Sequence, residues 1–332
     1  MLIYTRDFRH GLIIKGEPMN IIQYNHRTME SSVVDLWNKC CVFDPLTVQK
    51  FRKQALFDEN FDNGLCYVAV ENEDVVGFVL ATKRKFPYLE RGLEPDQGWI
   101  NVIFVKEIYQ RRGIGTALLR TVENILIENG VKRITLAAYS PNYFFAGLDP
   151  DNYPKSIGFF EKNNYVSYEK HYSMGMNLHG FQLSEKVKEK KCLAESKGYI
   201  FKNFTYEYSL ELLDFLKEEF GGGWKRNALI NMQKDKAEER LFLVLNPEGR
   251  ICGFANRSID DNEMRFGPIG VSAKERNNGL GSILLECAMY EMAKKGLYRM
   301  FFMTTDDPGR RYYERLGLEV IRTFVTYRKE IS

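Results

Sequence analysis

Three kinds of feature are scarce in this 332-residue sequence: long apolar runs, histidine, and an excess of charge of one sign. No apolar run approaches the roughly 20 residues that a bilayer-spanning helix needs. The 47 basic and 44 acidic side chains leave a formal net charge of +3, which favours neither nucleic acid nor a membrane as a partner. Four ungrouped histidines and six cysteines without CxxC spacing predict no metal site, and reduced cysteines in a cytoplasmic protein.

Length and composition predict two folded domains. A chain of 332 residues is long for one hydrophobic core, and its content of 44% hydrophobic and 14% aromatic residues is enough to build packed interiors. Residues 1–18 are a candidate leader, because regular patterning begins after Met19. They lack the long apolar stretch and the cleavage site of a secretory signal.

The same order of patterns occurs in both halves of the chain. Each half has an apolar strand, a short polar turn and a second strand containing Gly-Phe, at residues 65–83 and 241–258, which is typical of a β-hairpin. Helix-like sequence precedes each hairpin, and a strand, a glycine turn, a long helix and two further strands separated by a short helix follow it. Because the repeated unit is half the chain, it indicates a duplicated α/β domain rather than a solenoid of about 20- to 50-residue repeats.

The predicted domains are residues 19–180 and 199–332, joined by a linker helix at 181–198. Lysines and glutamates alternate in SEKVKEKKCLAESKG, residues 184–198. Because both signs of charge are present, this segment predicts a solvated helix rather than a nucleic-acid surface.

Each half contains one glycine turn, QRRGIG at residues 110–115 and RNNGLG at residues 276–281. The start of a helix leaves backbone N–H groups unpaired, and these groups together with the helix dipole favour an anion such as a pyrophosphate. Glycine removes the Cβ atoms that would block close approach of the anion. The pattern is neither GxxxxGK[ST] nor GxGxxG, so the interpretation depends on its repetition between a strand and a helix.

The sequence Q/R-x-x-G-x-G/A between a strand and a helix resembles the acyl-CoA-binding motif of the GNAT N-acetyltransferase superfamily, and the element order also fits that fold. The resemblance implies an α/β (α+β) fold class, with two tandem GNAT domains that each have a mixed, splayed central sheet flanked by helices. It implies acetyl-CoA as the acetyl donor, no metal, and direct attack of an amine on the thioester. The implied CoA-binding residues are Gln110, Arg111, Arg112, Gly113, Ile114, Gly115 and Thr116 in the first half, and Val271, Arg276, Asn277, Asn278, Gly279, Leu280, Gly281 and Ser282 in the second.

A proton donor for the leaving thiolate is expected on the helix after the fifth strand, where GNAT enzymes often carry tyrosine in a motif like FYEKLGF. The second half has RRYYERLGLEV, which puts Tyr313 at that position, whereas IGFFEKNNYV in the first half puts Phe160 there. Phenylalanine cannot donate a proton, so the comparison predicts that the C-terminal domain is catalytic. The alternative for Tyr313 is a packed ring with a satisfied hydroxyl.

The attacking amine has to lose a proton, because an alkylammonium resembles lysine with a pKa near 10.4. Asp306, followed by Asp307, comes after the strand RMFFMTT and is the candidate base. Asp260, Asp261 and Glu263 are further candidates in the turn before MRFGPIGV. The alternatives are ordinary loop carboxylates, and a water chain in place of a base.

Two insertions in the first half, residues 85–98 and 140–154, are rich in aromatic residues, Pro, Gly and Asp. Exposed rings and carboxylates suit a cationic, partly apolar acceptor such as an amino sugar, and the alternative is a self-packed loop. SPNYFFAGLD together with FGPIGV is similar to a subgroup of tandem bacterial GNAT proteins linked to acetylation of glucosamine or glucosaminides in cell-wall recycling. That subgroup typically has proline where this chain has Ala146.

The expected activity is therefore acetyl transfer to the primary amine of a small molecule, by a monomer or homodimer with no nucleic-acid or membrane partner. Two alternatives stay open at this point: another acceptor (a peptide N-terminus, lysine or an antibiotic), or an acyl-CoA-binding sensor or scaffold without turnover. The N-terminal domain is expected either to bind a nucleotide thioester or to serve as a structural partner that forms a wall of the substrate site.

Overall fold

The computed structural model of the protein describes residues 11–14 and 17–331. Part of the candidate leader lies outside these residues. Its described part forms strand β1 (Gly11–Ile14), which pairs antiparallel with β2 (Glu17–Gln23).

The described helices and strands include, in each half, the series of elements predicted from the sequence patterns. In the first half they continue as α1 (His26–Cys40), α2 (Val48–Phe51), β3 (Cys66–Glu71), β4 (Asp74–Lys83), β5 (Gln97–Val105), α3 (Ile114–Glu128), β6 (Arg133–Leu136), α4 (Pro154–Lys162) and β7 (Val166–Asn177). In the second half they are α5 (Glu185–Ser196), β8 (Ile200–Asn203), α6 (Ser209–Phe220), α7 (Gly222–Met232), α8 (Ala237–Arg240), β9 (Leu241–Leu245), β10 (Ile251–Arg257), β11 (Phe266–Val271), α9 (Leu280–Lys294), β12 (Arg299–Thr305), α10 (Asp307–Glu314) and β13 (Glu319–Glu330).

The chain forms two compact units whose limits differ from the predicted domain boundaries. Unit 1 consists of residues up to His171 together with Thr323 onwards, and unit 2 runs from Tyr172 to Arg322. The difference arises because β7 passes from unit 1 into unit 2, and β13 passes from unit 2 back into unit 1. The predicted linker at 181–198 contains α5 and falls inside unit 2.

Unit 1 is a sheet with helices on both faces. The strand order is β1-β2-β3-β4-β5-β6-β13, antiparallel except for the parallel pair β5–β6. α3 covers one face through Leu118 and Val122, and α1 covers the other through Val33 and Trp37. The hairpin between β3 and β4 turns at Asn72 and Glu73, both with positive φ, as a two-residue turn requires.

Unit 2 repeats this arrangement with a shorter sheet. Its strands β8 to β11 form an antiparallel sheet in which β11 is an edge strand, and β12 pairs antiparallel with the part of β7 that follows Tyr172. α9 packs on one face of the sheet through Ile283 and Leu284, and α6 packs on the other through Leu212 and Leu216. The tandem α/β architecture predicted from the repeated patterns is therefore confirmed.

The part of β13 from Thr323 onwards belongs to unit 1 by pairing and by charge. Arg328 to Glu330 of β13 pair with β6, and Lys329 donates to both oxygens of Glu123 at 3.1 Å. The Glu123 side chain is only 7% exposed and also accepts from the Tyr165 hydroxyl at 2.7 Å. A buried carboxylate therefore depends on a cation near the end of the chain.

Replacing Lys329 by methionine is expected to lower the free energy of unfolding by about 2 to 4 kcal/mol, because it leaves a buried carboxylate without its cation. The matched control is Arg133→Ala, which breaks an ion pair with Glu330 whose two side chains are 48% and 57% exposed. That change is expected to cost less than about 1 kcal/mol. Urea unfolding monitored by circular dichroism measures both, and equal losses would contradict the assignment of Lys329 to a buried pair.

The six cysteines are all free, and Cys192 is exposed. Burial raises the pKa of the Cys40 and Cys287 thiols to about 11 and that of Cys252 to about 12. Within residues 11–14 and 17–331, no cluster of side chains suits a metal ion and no helix is long and apolar enough to cross a membrane.

Candidate active site

The strand before each glycine turn loses its partner on one edge. In unit 1, β6 pairs with β5 only as far as Ile100 and Leu136, so within the described residues β5 continues to Val105 without a paired strand on that side. In unit 2, the pairing between β12 and the β11 segment is, in the part of the chain that the structure describes, one isolated parallel bridge between Phe301 and Arg265, the residue just before β11. In each unit an edge of backbone therefore opens toward the glycine turn, as the predicted splayed sheet requires.

Backbone N–H groups point into this opening. Ser272 N–H donates to the Cys252 carbonyl on β10 at 2.8 Å. Successive residues of a strand face opposite edges, so the N–H of Val271 points away from β10 into the opening. The same argument applies to Val105, because Lys106 N–H donates to Val76 on β4 at 2.9 Å. Such an N–H is suited to polarise a carbonyl oxygen.

A β-bulge precedes the opening in both units. On β5, Asn101 is an extra residue between the pairs Leu80–Val102 and Ala81–Ile100. On β11 the register shifts between the pairs Ala255–Ile269 and Arg257–Phe266. Bulges re-aim the strand and are frequent beside active sites.

The two glycine turns have the same backbone conformation. φ is positive at Arg111 and Gly113 in the first turn, and at Asn277 and Gly279 in the second. Gly113 and Gly279 are the N-caps of α3 and α9, and neither helix start has a side-chain cap. The first N–H groups of both helices are thus presented to an anion. The side chains of Ile114 and Leu280 are 1% exposed and point into the cores, so only their backbone can contribute.

Two polar side chains of the first turn, those of Gln110 and Arg112, are held by contacts within unit 1. Gln110 Nε2 donates to the Val105 carbonyl at 3.0 Å, which occupies the strand edge beside the opening. Arg112 is paired with the buried carboxylate of Glu71, donating from Nη1 at 3.2 Å and also from Nη2. Opposite Gly115 lies the apolar ring of Phe159, 3.4 Å from where a Cβ would be.

Around the second turn, two of the three side chains that precede the first glycine are free of such contacts in the described part of the chain. Among the described residues, Arg276 and Asn277 make no ion pair or side-chain hydrogen bond, and both are exposed. Asn278 donates to Glu275 at 3.0 Å, and Glu275 also accepts from Tyr199 at 2.6 Å, so this carboxylate is held beside the turn by hydrogen bonds. Ser282 Oγ donates back to the Gly279 carbonyl at 2.8 Å and stiffens the helix start.

Two side chains that the motif did not predict reach the second turn. The Tyr312 hydroxyl lies 3.1 Å from the position that a Cβ on Gly281 would take. The Lys190 side chain of α5 approaches Gly279, whose Cβ would lie 3.7 Å from Lys190 Cδ and 4.0 Å from Nζ. Both groups therefore lie beside the glycines at the start of α9.

The predicted catalytic pair Tyr313 and Asp306 lies on α10 of unit 2. The Tyr313 ring packs on Phe302 of β12 with 4.7 Å between ring centres, and its hydroxyl has no hydrogen-bond partner among the described residues. Burial raises the pKa of Tyr313 well above its ordinary value, and Tyr312 and Asp306 add to the shift. Asp306 is the N-cap of α10 and accepts from Gly309 N–H at 2.8 Å.

The remaining candidate carboxylates are engaged in ion pairs. Asp307 accepts from Tyr172 at 3.1 Å and from Arg310 at 3.2 Å, and the Tyr172 hydrogen bond lowers its pKa. The turn before β11 holds three further pairs, which lie at the end of β11 opposite to the glycine turn. They are Asp260 with Arg265, Asp261 with Lys234, and Glu263 with Arg257. The structure therefore does not bring Asp260, Asp261 or Glu263 to the second turn.

The two insertions of unit 1 are tied into its packing. Phe144 and Phe145 lie on the buried ring of Trp37, at centroid distances of 4.9 and 5.9 Å. Arg84, whose side chain is 0% exposed, donates to Glu94 in the first insertion and to the Ser140 carbonyl in the second, each at 2.8 Å. These contacts match the self-packed alternative that the sequence left open.

A stacked aromatic pair covers the other face of β11. Phe220 and Trp224 flank the start of α7, with 4.3 Å between ring centres and 15° between planes. A Cβ on Gly270 would lie 2.5 Å from Phe220 and 2.8 Å from Trp224, so only glycine leaves room for the rings. Glu219 beside them accepts from Ala273 N–H at 3.0 Å and Ser272 at 2.7 Å, and these bonds lower its pKa.

Lys190, Tyr312 and the Phe220–Trp224 pair are not among the residues predicted from the sequence. A signal for Lys190 was available, because it follows Val187 by three residues and precedes Ala194 by four, which places it on the buried face of α5. No comparable signal places Tyr312 beside Gly281 or the aromatic pair beside Gly270, since these contacts join distant segments.

A comparison of the chain with known proteins agrees with this fold. The model of the acetyltransferase (GNAT) family matches residues 31–146 and 209–318. None of the curated proteins compared with this chain matches it.

Solved structures share the fold at low sequence identity. One is described as a GCN5-related glucosamine N-acetyltransferase region in a fungal multi-domain GH3 β-N-acetylglucosaminidase, with TM-score 0.77 and 17% identity over 95% of this chain and 38% of that one. A GCN5-related N-acetyltransferase from Sphaerobacter thermophilus has TM-score 0.67 and 14% identity, covering 94% of this chain and 95% of that one. A tandem GNAT protein from the clavulanic acid biosynthesis pathway has TM-score 0.62 and 12% identity, covering 94% and 98%.

The family model alone covers more than half of the chain, once in each half, and the splayed strand, the glycine turn and the following helix recur in both units. The protein therefore belongs to the GNAT acetyltransferase family, whose general activity is acetyl transfer from acetyl-CoA, and it carries two GNAT domains in tandem.

Proposed function

We propose that unit 2 binds acetyl-CoA and transfers its acetyl group to the primary amine of a small molecule. The observation that carries this proposal is the contrast between the two turns. In unit 1 the chain's own Gln110 and Glu71 occupy the groups that would meet the donor, and Phe160 stands where a proton donor is expected. In unit 2, Arg276 stands at the position of Gln110 and makes no ion pair or side-chain hydrogen bond among the described residues, and Tyr313 is present.

The residues of unit 2 fit acetyl-CoA in three places. The N–H groups of residues 280–282 suit its phosphates, the N–H of Val271 suits the thioester oxygen, and Tyr313 suits the sulfur. Gly281 supports this fit, because its missing Cβ leaves the helix start open. Acetyl-CoA supplies an activated acyl group with a thiol as its leaving group.

In the proposed reaction a neutral amine nitrogen forms a bond to the acetyl carbon, and the bond from that carbon to sulfur breaks. The Val271 N–H stabilises negative charge on the carbonyl oxygen. Because its raised pKa keeps Tyr313 protonated at neutral pH, its hydroxyl can donate to the departing sulfur. The proton of the amine passes to Asp306 or to water, and a proton from solvent then restores the Tyr313 hydroxyl.

We further propose an amino sugar as the acceptor. The stacked rings of Phe220 and Trp224 offer a flat, partly exposed apolar surface beside β11, which suits the apolar face of a sugar ring. The fungal structural neighbour described as a glucosamine N-acetyltransferase region supports the same acceptor class.

The test is release of free CoA from acetyl-CoA in the presence of an amine panel containing glucosamine, lysine, a peptide with a free N-terminus and an aminoglycoside. Turnover that is fastest with glucosamine supports an amino sugar as the acceptor. Turnover that is fastest with another amine contradicts it and identifies that amine's class as the acceptor. If no amine releases CoA while acetyl-CoA still raises the Tm, the protein is an acyl-CoA-binding sensor or scaffold.

Replacing Trp224 by alanine is expected to raise the KM for the acceptor about five- to tenfold, because one ring of the stacked surface is lost. The KM for acetyl-CoA should stay the same. The control is Tyr298→Ala, which removes a ring of unit 2 that is 65% exposed. Steady-state kinetics with glucosamine measure both variants. An unchanged KM for the acceptor in Trp224→Ala would show that the acceptor does not bind at this surface.

A further inference from the structure

The second glycine turn receives a cation from a helix that the sequence identifies as a linker. Lys190 lies on α5, and its side chain runs beside Gly279, the N-cap of α9. Within the part of the chain that the structure describes, the ammonium has no ion-pair or hydrogen-bond partner, whereas neighbouring Lys188 and Lys191 are paired with Glu185 and Glu195. A partly buried lysine without an anion is unusual beside the start of a helix that itself attracts anions.

The backbone of α5 fixes the position of this lysine. Ser184 caps α5, and its N–H and hydroxyl donate to the two oxygens of Glu286 on α9, at 3.0 and 3.1 Å. Val187 and Ala194 are buried in the core that α9 shares. Because Lys190 is on the same face as these two residues, packing directs it toward α9.

A second polar group lies beside the start of α9, and it comes from a segment that follows α9 in the sequence. The Tyr312 hydroxyl faces Gly281, and it has no hydrogen-bond partner among the described residues. Burial raises its pKa, so it is a donor at neutral pH. In unit 1 the equivalent position is Phe159, which lies beside Gly115 and has no donor.

We infer that Lys190 and Tyr312 form part of the phosphate-binding end of the acyl-CoA site in unit 2. The inference rests on the proposed function, since it requires that acetyl-CoA binds at the second turn. The ammonium supplies charge, the hydroxyl supplies a donor, and the N–H groups of α9 complete the site. The helix interpreted as a linker is thereby part of the site.

Binding by isothermal titration calorimetry separates the phosphate end from the rest of the ligand. The probes are CoA and pantetheine, which lacks every phosphate group. Lys190→Gln is expected to raise the Kd for CoA about fivefold, as one partly screened charge pair allows, and to leave the Kd for pantetheine unchanged. Tyr312→Phe is expected to raise the Kd for CoA about tenfold, since a hydrogen bond to a charged group is lost.

The matched control is Lys188→Gln, which removes the same charge from the opposite face of α5, where Lys188 pairs with Glu185 at 2.7 Å. It is expected to bind CoA like the unmodified protein. Lys190→Arg keeps the charge and is expected to restore most of the affinity. The difference in the Kd for CoA between Lys190→Gln and the unmodified protein should become smaller as salt is raised from about 0.05 to about 1 M, because screening weakens the ion pair between Lys190 and phosphate.

Two failures are distinguishable. If the unmodified protein binds no CoA, the proposed function and this inference fail together. If it binds CoA and Lys190→Gln and Tyr312→Phe bind equally well, only this inference fails. Tighter CoA binding by Tyr312→Phe would also overturn it, because the hydroxyl would then be an obstacle rather than a partner. Equal weakening of CoA and pantetheine would indicate a structural effect and would overturn it as well.

Discussion

Replacing Gly281 by valine is expected to lower kcat/KM for acetyl-CoA by at least about 100-fold, since two or more hydrogen bonds to charged phosphate, each about 1.5 to 3 kcal/mol, are lost. A Cβ at this position already comes within 3.1 Å of the Tyr312 hydroxyl, and the additional methyl groups of valine fill the space above the helix start. Steady-state kinetics and calorimetric titration of CoA measure the effect.

The matched control is Gly115→Val in unit 1. A Cβ there meets the Phe159 ring at 3.4 Å, which is ordinary contact, and the turn beside it is occupied by contacts of the chain itself. This variant is expected to keep its kcat/KM for acetyl-CoA within about threefold, well under one tenfold step of about 1.4 kcal/mol. The opposite result, with Gly115→Val inactive and Gly281→Val active, would assign catalysis to unit 1.

Tyr313→Phe is expected to lower kcat by about 100-fold or more while the KM for acetyl-CoA changes little, because loss of a positioned proton donor typically has that effect. The Tm should stay the same, since the ring and its contact with Phe302 remain and the hydroxyl has no partner among the described residues. Kinetics and thermal unfolding of the same preparation test both statements. An unchanged kcat would leave Tyr313 as a packed ring.

The pH dependence of kcat gives an independent test of this tyrosine. Burial raises the pKa of Tyr313 above the ordinary tyrosine value near 10. A donor is active while protonated, so a raised pKa moves the loss of activity to higher pH. The descending limb of kcat is therefore expected above about pH 10 and absent in the residual activity of Tyr313→Phe. A descending limb below pH 9 that persists in the variant would indicate another group.

Local sequence patterns predicted the helices, strands and turns whose conformation is determined by residues close together in the sequence. The hairpins at residues 65–83 and 241–258, the strands before the turns and the helices after them are all present. Apolar periodicity determines these elements because each buries one face against its own sheet. The two turns, with positive φ at Gly113 and Gly279, are likewise a local property of glycine.

Contacts between distant segments were not predictable in the same way. The KEKK segment of α5 has the composition of a solvated helix, yet Lys190 faces the second turn because Val187 and Ala194 are buried on the same side. The motif indicates Tyr313, but it does not show that the adjacent Tyr312 faces Gly281. Arg112 looks like a phosphate ligand in the sequence, although Glu71, which lies 41 residues earlier, pairs with it.

The crossing of β7 and β13 between the units has a consequence for synthesis of the protein. A ribosome completes residues 17–136 of the unit 1 sheet early, but residues Arg328 to Glu330 of β13, which pair with β6, are translated only after all of unit 2. Domains usually fold in order of synthesis. Here the N-terminal unit has to wait for the whole C-terminal unit to be translated. A gene cut between the two halves, or a stop codon between Thr323 and Glu330, would damage the unit that was made first.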